Sequence, residues 1–156
     1  MIIVSACLAG YPCRYDGKDN RIEPIAQLVA SGKAIAVCPE ELGGLSTPRK
    51  PAEIVGGTAE AVWIGSAAVR TNDGEDVGDA FMRGAQLTLE KALAHQATVA
   101  ILKERSPSCG SQEVYDGTFS KQKIPGCGVT TGLLQKYGIT VFSEETIGDA
   151  LGTIGS

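Results

Sequence analysis

The 156-residue chain has little of what marks several large classes of protein. Aromatic residues make up 5% of it, histidine occurs once, and the formal net charge is −4. An acidic chain lacks the basic face with which most proteins hold nucleic acid through its phosphates, so we do not expect nucleic acid as a partner. No apolar run approaches the roughly 18 residues of a membrane-spanning helix, so we expect no membrane partner either.

A secretory signal is also missing, because the apolar run that begins at Met1 has no basic lead and ends near Leu8. We therefore expect a cytoplasmic protein. Its five cysteines are an odd number, which argues against a disulfide framework. Reduced thiols in loops are often metal ligands, redox groups or nucleophiles, whereas a buried cysteine elsewhere is a small apolar residue.

Short apolar runs alternate with helical patterns along the chain. The apolar runs predict buried strands at 2–6, 34–37, 98–102 and 140–142, with a further β-type segment at 61–69. The helical patterns predict helices at 24–31, 77–95, 129–137 and 146–151, and long loops at 39–51 and up to residue 128. Because the strands lack polar alternation, we expect an open, mostly parallel, Rossmann-like sheet with helices on both faces. Residues 1–156 are expected to form this single α/β domain.

Three cysteines follow predicted strands. Cys7 and Cys38 come directly after the first two strands, and Cys109 lies in the loop after the strand that ends at Leu102. Open α/β sheets bind ligands beyond the carboxyl ends of their strands. We therefore expect the three thiols to meet at one edge of the sheet, where glycine and proline let the backbone approach a bulky group.

Spacing alone leaves the bound group open. Zinc sites usually contain closely paired cysteines, whereas Cys7 and Cys13 are six residues apart. Because the single histidine lies in the predicted long helix, a tetrahedral zinc site would need Cys13 as its fourth ligand. Three thiolates alone would leave one iron of a cluster open, in contrast to the usual four-cysteine ligation.

Motifs around these cysteines resemble those of a known family. The matching segments include 4–10 (VSACLAG), 13–17 (CRYDG), 38–40 (CPE), 43–49 (GGLSTPR) and 106–110 (SPSCG). In these motifs the chain resembles the domain of unknown function 523 family and, within it, the thiouracil desulfidases. The resemblance implies a 4Fe-4S cluster bound by Cys7, Cys38 and Cys109, with the fourth iron free of protein ligands. Cys13 is then a neighbour of the cluster, and Cys127 has no role in binding it.

The same resemblance implies roles for residues beside the cysteines. Glu40 and Ser106 are implied to act on the substrate, with Ser106 preferred to Ser108 as the catalytic serine. Lys103 and Arg49 lie in the same loops, and together with Ser108 they are candidate substrate-binding residues. Oligomeric state is not indicated by the sequence.

The expected reaction is a non-redox desulfuration of a small thiolated base or nucleoside, such as thiouracil. An open iron would bind the sulfur, Glu40 would act as general base on a water, and Ser106 would orient that water or relay its proton. Three other interpretations remain open. They are a zinc- or thiol-based enzyme that uses Cys7, Cys13, Cys38 and Cys109, a non-catalytic cluster or sulfide carrier, and a structural α/β binding module.

Overall fold

The computed structural model describes residues 1–154. Within them the strands are β1 (Ile2–Ser5), β2 (Ala34–Val37), β3 (Ala52–Val55), β4 (Ala68–Thr71), β5 (Val99–Leu102), β6 (Glu113–Tyr115), β7 (Lys123–Pro125) and β8 (Thr140–Ser143). The α-helices are α1 (Glu23–Ala30), α2 (Pro39–Leu42), α3 (Ala59–Trp63), α4 (Gly78–Ala94), α5 (Val129–Lys136) and α6 (Ile147–Ile154). Short 3-10 helices occupy Ala6–Ala9 and Glu144–Thr146.

A four-stranded parallel sheet forms the centre of the fold, in the strand order β2-β1-β5-β8. The side chains of alternate residues of β1 pack on opposite faces of the sheet. Val4 shares a buried cluster with Ile25 of α1 and Ala150 of α6, whereas Ile3 shares one with Leu89 of α4 and with α5. Burying each such aliphatic side chain contributes about 1.5–3 kcal/mol. The expected parallel α/β sheet with helices on both faces is therefore confirmed.

Several local predictions were wrong or incomplete. The predicted β-type segment at 61–69 is instead helix α3 followed by a turn, and strand β4 begins only at Ala68. Thr58 caps α3 by accepting a hydrogen bond from the backbone N–H of Ala61 at 3.2 Å, which commits the segment to a helix. The predicted loops contain α2 and the antiparallel hairpin of β6 and β7, and β3 pairs antiparallel with β4 across a connection that contains α3.

The parallel sheet brings the loops after β1, β2 and β5 to one edge. Helix α2 starts immediately after β2, so the residues that follow this strand are held at that edge by a helical turn. None of the helices found in residues 1–154 has both the length and the apolar character that crossing a membrane requires.

Candidate active site

A cleft of about 1040 Å³ opens at the carboxyl edge of the sheet, and Cys7, Cys38 and Cys109 all line it. They come from the ends of β1 and β2 and from the loop after β5, three neighbouring strands that run parallel. Cys7 and Cys109 are buried and Cys38 is half-buried. The sheet thus gathers three thiols from distant parts of the sequence, as the strand-edge argument predicts.

Local hydrogen bonds fix the backbone on either side of each thiol. The carbonyl of Cys7 accepts from the N–H of Asn20 at 2.9 Å, which ties the 3-10 helix to the following loop. Cys38 is the residue that caps the N-terminus of α2. The carbonyl of Cys109 accepts from the hydroxyl of Thr131 at 2.8 Å, which fastens its loop to α5. These contacts hold the backbone at each of the three cysteines in place.

Cys13 brings a fourth thiol next to two of the others. Hydrogen bonds to Cys38 and Cys7, together with burial, raise the pKa of Cys13. The hydrogen bond from Cys13 is the largest effect that lowers the pKa of Cys7 to about 7, and it also lowers the pKa of Cys38. Cys13 therefore keeps its proton, while Cys7 and Cys38 are poised to become thiolates, the form that binds metal.

Cys109 differs from these two thiols. Burial raises its pKa, and the charge of the nearby Glu40 adds to the effect. A thiol in such surroundings ionises when a positive group binds it. Among residues 1–154, no three cysteine, histidine or carboxylate side chains are arranged to hold a single metal ion. An iron–sulfur cluster takes each thiolate at a different iron, so the thiols that bind it stand around a larger core.

The cleft also holds the two candidate catalytic side chains. Glu40 forms an ion pair with Arg49, whose Nε lies 2.6 Å from Glu40 Oε2. The hydroxyl oxygen of Ser106 accepts the N–H groups of Ser108 and Cys109 at 3.0 and 3.1 Å. No group within residues 1–154 accepts the hydroxyl proton of Ser106, so this proton is available for a ligand in the cleft.

Ser108 is placed differently from Ser106. Its side chain is buried, and its hydroxyl shares a hydrogen bond of 2.7 Å with that of Thr130. Ser108 lies outside the lining of the cleft, which does contain the other candidate residues: Cys7, Cys38, Cys109, Glu40, Ser106, Lys103 and Arg49. The structure thus gives Ser108 a place in the interior and leaves Ser106 facing the cleft.

The amine of Lys103 pairs with Glu144 Oε2 at 2.8 Å and donates to the carbonyl of Glu104 at 3.0 Å. Its positive charge also helps to lower the pKa of Cys7. Lys103 therefore contributes to the electrostatics of the thiols as well as to the cleft wall.

Glu104 is a residue that the sequence analysis missed. Its buried carboxylate accepts the backbone N–H groups of Arg105, Ser111 and Gln112 at 2.7–3.1 Å, and the Ser111 hydroxyl at 2.8 Å. These bonds organise the loop that carries Ser106 and Cys109. The signal in the sequence was a carboxylate placed just after a buried strand and before a glycine-containing loop.

Comparison with known proteins matches the chain to one family. A family model described as 2-thiouracil desulfurase matches residues 2–146, and the chain belongs to this family. The uncharacterized protein YbbK of Bacillus subtilis (strain 168) is 52% identical over 151 residues, which are 97% of this chain and 100% of that protein. The family resemblance inferred from the sequence is thereby confirmed.

A solved structure extends the likeness to three dimensions. It is described as the [4Fe-4S]-dependent thiouracil desulfidase TudS, and it is 46% identical to this chain. The two structures superpose with a TM-score of 0.87, over 99% of this chain and 98% of the other. The two proteins therefore share the α/β fold over nearly their full lengths.

Proposed function

We propose that this protein removes sulfur from a small thiolated base or nucleoside, with thiouracil as the first substrate to test. The observation that carries the proposal is the meeting of Cys7, Cys38 and Cys109 in one cleft beside Glu40 and Ser106. Membership of the 2-thiouracil desulfurase family and the likeness to a [4Fe-4S]-dependent desulfidase support it.

Cys7, Cys38 and Cys109 would hold a 4Fe-4S cluster through their thiolates. When bound by three cysteines, such a cluster supplies an iron that acts as a Lewis acid toward the sulfur of a thiocarbonyl. The lowered pKa values of Cys7 and Cys38 suit them to this role. The thiolate of the buried Cys109 would gain a positively charged partner.

Glu40 and Ser106 would handle the water and its protons. Oε2 of Glu40 is held by Arg49, and Oε1 has no hydrogen-bond partner among the described residues, so Oε1 can take a proton from water. The Ser106 hydroxyl can donate to the attacking water or to the base. The water oxygen replaces sulfur on the carbon, and the sulfur leaves as hydrogen sulfide with the two protons of the water. The reaction requires no electron transfer.

The test is anaerobic purification with iron and sulfide analysis, followed by incubation with 2- and 4-thiouracil. We expect a brown protein that forms uracil and sulfide in equal amounts. A Glu40→Gln variant should keep its iron and sulfide but lose most of its turnover, with kcat at least about 100-fold lower. A colourless protein with one bound zinc would contradict the cluster, and a brown protein without turnover on thiopyrimidines would favour a cluster or sulfide carrier.

A further inference from the structure

We infer that Arg49 is a positioning residue, which fixes Glu40 and the loop of Cys13 in place instead of binding the substrate. The inference rests on the proposed role of Glu40 and assigns Arg49 differently from the sequence analysis, which made it a substrate contact. Its basis is the set of partners that the guanidinium already has within the protein.

The hydrogen-bond donors of Arg49 are almost all in use. Nε donates to Glu40 Oε2 at 2.6 Å, and Nη2 donates to the carbonyl of Cys13 at 3.0 Å. Nη1 donates to the hydroxyl of Thr47 at 2.8 Å and to the carbonyl of Ser46 at 3.3 Å. A guanidinium has five N–H donors in a rigid fork, so four of the five are committed to protein acceptors. At most one N–H donor of Arg49 remains free to bind a substrate.

These partners come from separate parts of the chain. Glu40 belongs to α2, Ser46 and Thr47 to the loop after it, and Cys13 to the loop that follows the first 3-10 helix. The backbone N–H of Arg49 also donates to the carbonyl of Tyr15 at 2.7 Å. Arg49 therefore joins the segment that carries the proposed base to the segment whose thiol contacts Cys7 and Cys38.

The ion pair between Arg49 and Glu40 is shielded from water. The side chains of Arg49 and Glu40 are only 10% and 16% exposed, so water replaces this contact poorly. Removing one partner of such a pair leaves the other charge without compensation. Because a single oxygen of Glu40 is engaged, the pair orients the carboxylate while leaving its other oxygen for water.

The first test compares an Arg49→Ala variant with the wild-type protein. If Arg49 acts through Glu40, kcat for 2-thiouracil falls about 100-fold, the lower range for loss of a general base. KM and the calorimetric Kd of 2-thiouracil stay within about twofold, since no substrate contact has been lost. Arg49→Lys keeps the positive charge but loses the planar set of guanidinium donors, so it should recover only part of kcat. Arg83→Met, on the exposed side of α4, is the matched charge control.

A double-mutant cycle with Glu40→Gln separates positioning from other effects. In the Glu40→Gln background, Arg49→Ala should change kcat little, because the carboxylate that Arg49 positions is already absent. A rise of tenfold or more in KM and Kd with kcat unchanged would overturn the inference and make Arg49 a substrate ligand. An equal loss of kcat in both backgrounds would also overturn it. Full activity of Glu40→Gln alone would instead reject the proposed base.

A measurement that needs no turnover keeps the inference testable if the proposed reaction itself fails. Hydrogen exchange of peptides that cover residues 11–20 should be at least about tenfold faster in Arg49→Ala and unchanged in Arg83→Met, because the side-chain clamp on the carbonyl of Cys13 is gone. The same comparison in Arg49→Lys covers the case in which the alanine variant does not fold. Unchanged exchange in a folded Arg49 variant would refute the clamp, whatever the protein does with thiouracil.

Discussion

Gly84 of α4 lies directly against the carbonyl of Pro39, the first residue of α2. A Cβ atom added to Gly84 would stand 1.8 Å from that oxygen, and one added to Gly43 would stand 2.0 Å from the carbonyl oxygen of Ala80. Both glycines let the two helices approach backbone to backbone. The position of α2, and with it that of Cys38 and Glu40, therefore depends on the absence of two side chains.

Gly84→Ala should push α2 away from α4. The added methyl cannot fit against a backbone carbonyl, so we expect a loss of about 1–3 kcal/mol in the free energy of unfolding, together with weaker cluster retention. Urea denaturation and iron analysis measure the two effects. Gly148→Ala in α6 is the control, because its new Cβ would meet no atom within 4 Å. A Gly84→Ala variant as stable as the wild type would contradict this account.

The five cysteines should divide into two groups on replacement. Serine at Cys7, Cys38 or Cys109 is expected to remove most of the bound iron, because a cluster held by three thiolates cannot spare one. Cys13→Val should keep the cluster but lose the hydrogen bonds that favour the neighbouring thiolates. Cys127→Ala is the control. The iron and sulfide content of anaerobically purified variants shows which cysteines bind the cluster. Loss of the cluster in Cys13→Val would make Cys13 a ligand.

The two candidate serines should show different defects. Ser106→Ala removes the hydroxyl that faces the cleft, so kcat should fall about 100-fold. It also removes the acceptor of the N–H groups of Ser108 and Cys109, so some stability is lost as well. Ser108→Ala leaves the buried Thr130 hydroxyl without its partner, which is expected to cost about 1–3 kcal/mol of stability. Steady-state kinetics and thermal unfolding of both variants distinguish the roles. The opposite pattern would move catalysis to Ser108.

Glu104 should make the stability of the protein sensitive to acid. Burial opposes its charge, but the hydrogen bonds from Gln112, Ser111 and Arg105 outweigh burial and lower the pKa of Glu104. The stabilisation is therefore complete above the ordinary glutamate pKa of about 4.3 and is lost as the pH falls through the lower folded pKa.

Glu104→Gln should remove this part of the acid dependence, because the amide keeps its shape without titrating. Urea midpoints of the two proteins from pH 6 to pH 3 measure the effect, and their difference should shrink as the pH falls. Glu90→Gln, which changes an exposed residue of α4, is the comparison. A difference that does not change with pH would show that Glu104 does not titrate in this range.

The central sheet could be predicted because its strands are continuous apolar runs. The region at 61–69 could not, since Val62 and Trp63 favour strands locally while the Thr58 cap and burial against α5 select a helix. The short strands of the two antiparallel pairs lie in segments rich in glycine and polar residues. Their pairing depends on partners elsewhere in the chain, which periodicity cannot reveal.

The cysteine site was predictable for the same reason, since parallel strands bring their carboxyl ends to one edge. The pairing of Glu40 with Arg49 was not predictable, because it depends on the path of an irregular loop between them. The interior position of Ser108 depends on Thr130 in a helix that begins much later in the sequence. Sequence placed Ser106 and Ser108 in the same loop but could not tell which one faces the cleft.

The three cysteine-bearing segments are neighbours only in the folded chain. A group bound jointly by residues 7, 38 and 109 has no matching site in the unfolded polypeptide, so its binding energy adds to the stability of the native state. Iron supply would then govern the abundance of the protein as well as its activity. When the bound group is scarce, a larger fraction of the polypeptide would be unfolded and open to proteolysis.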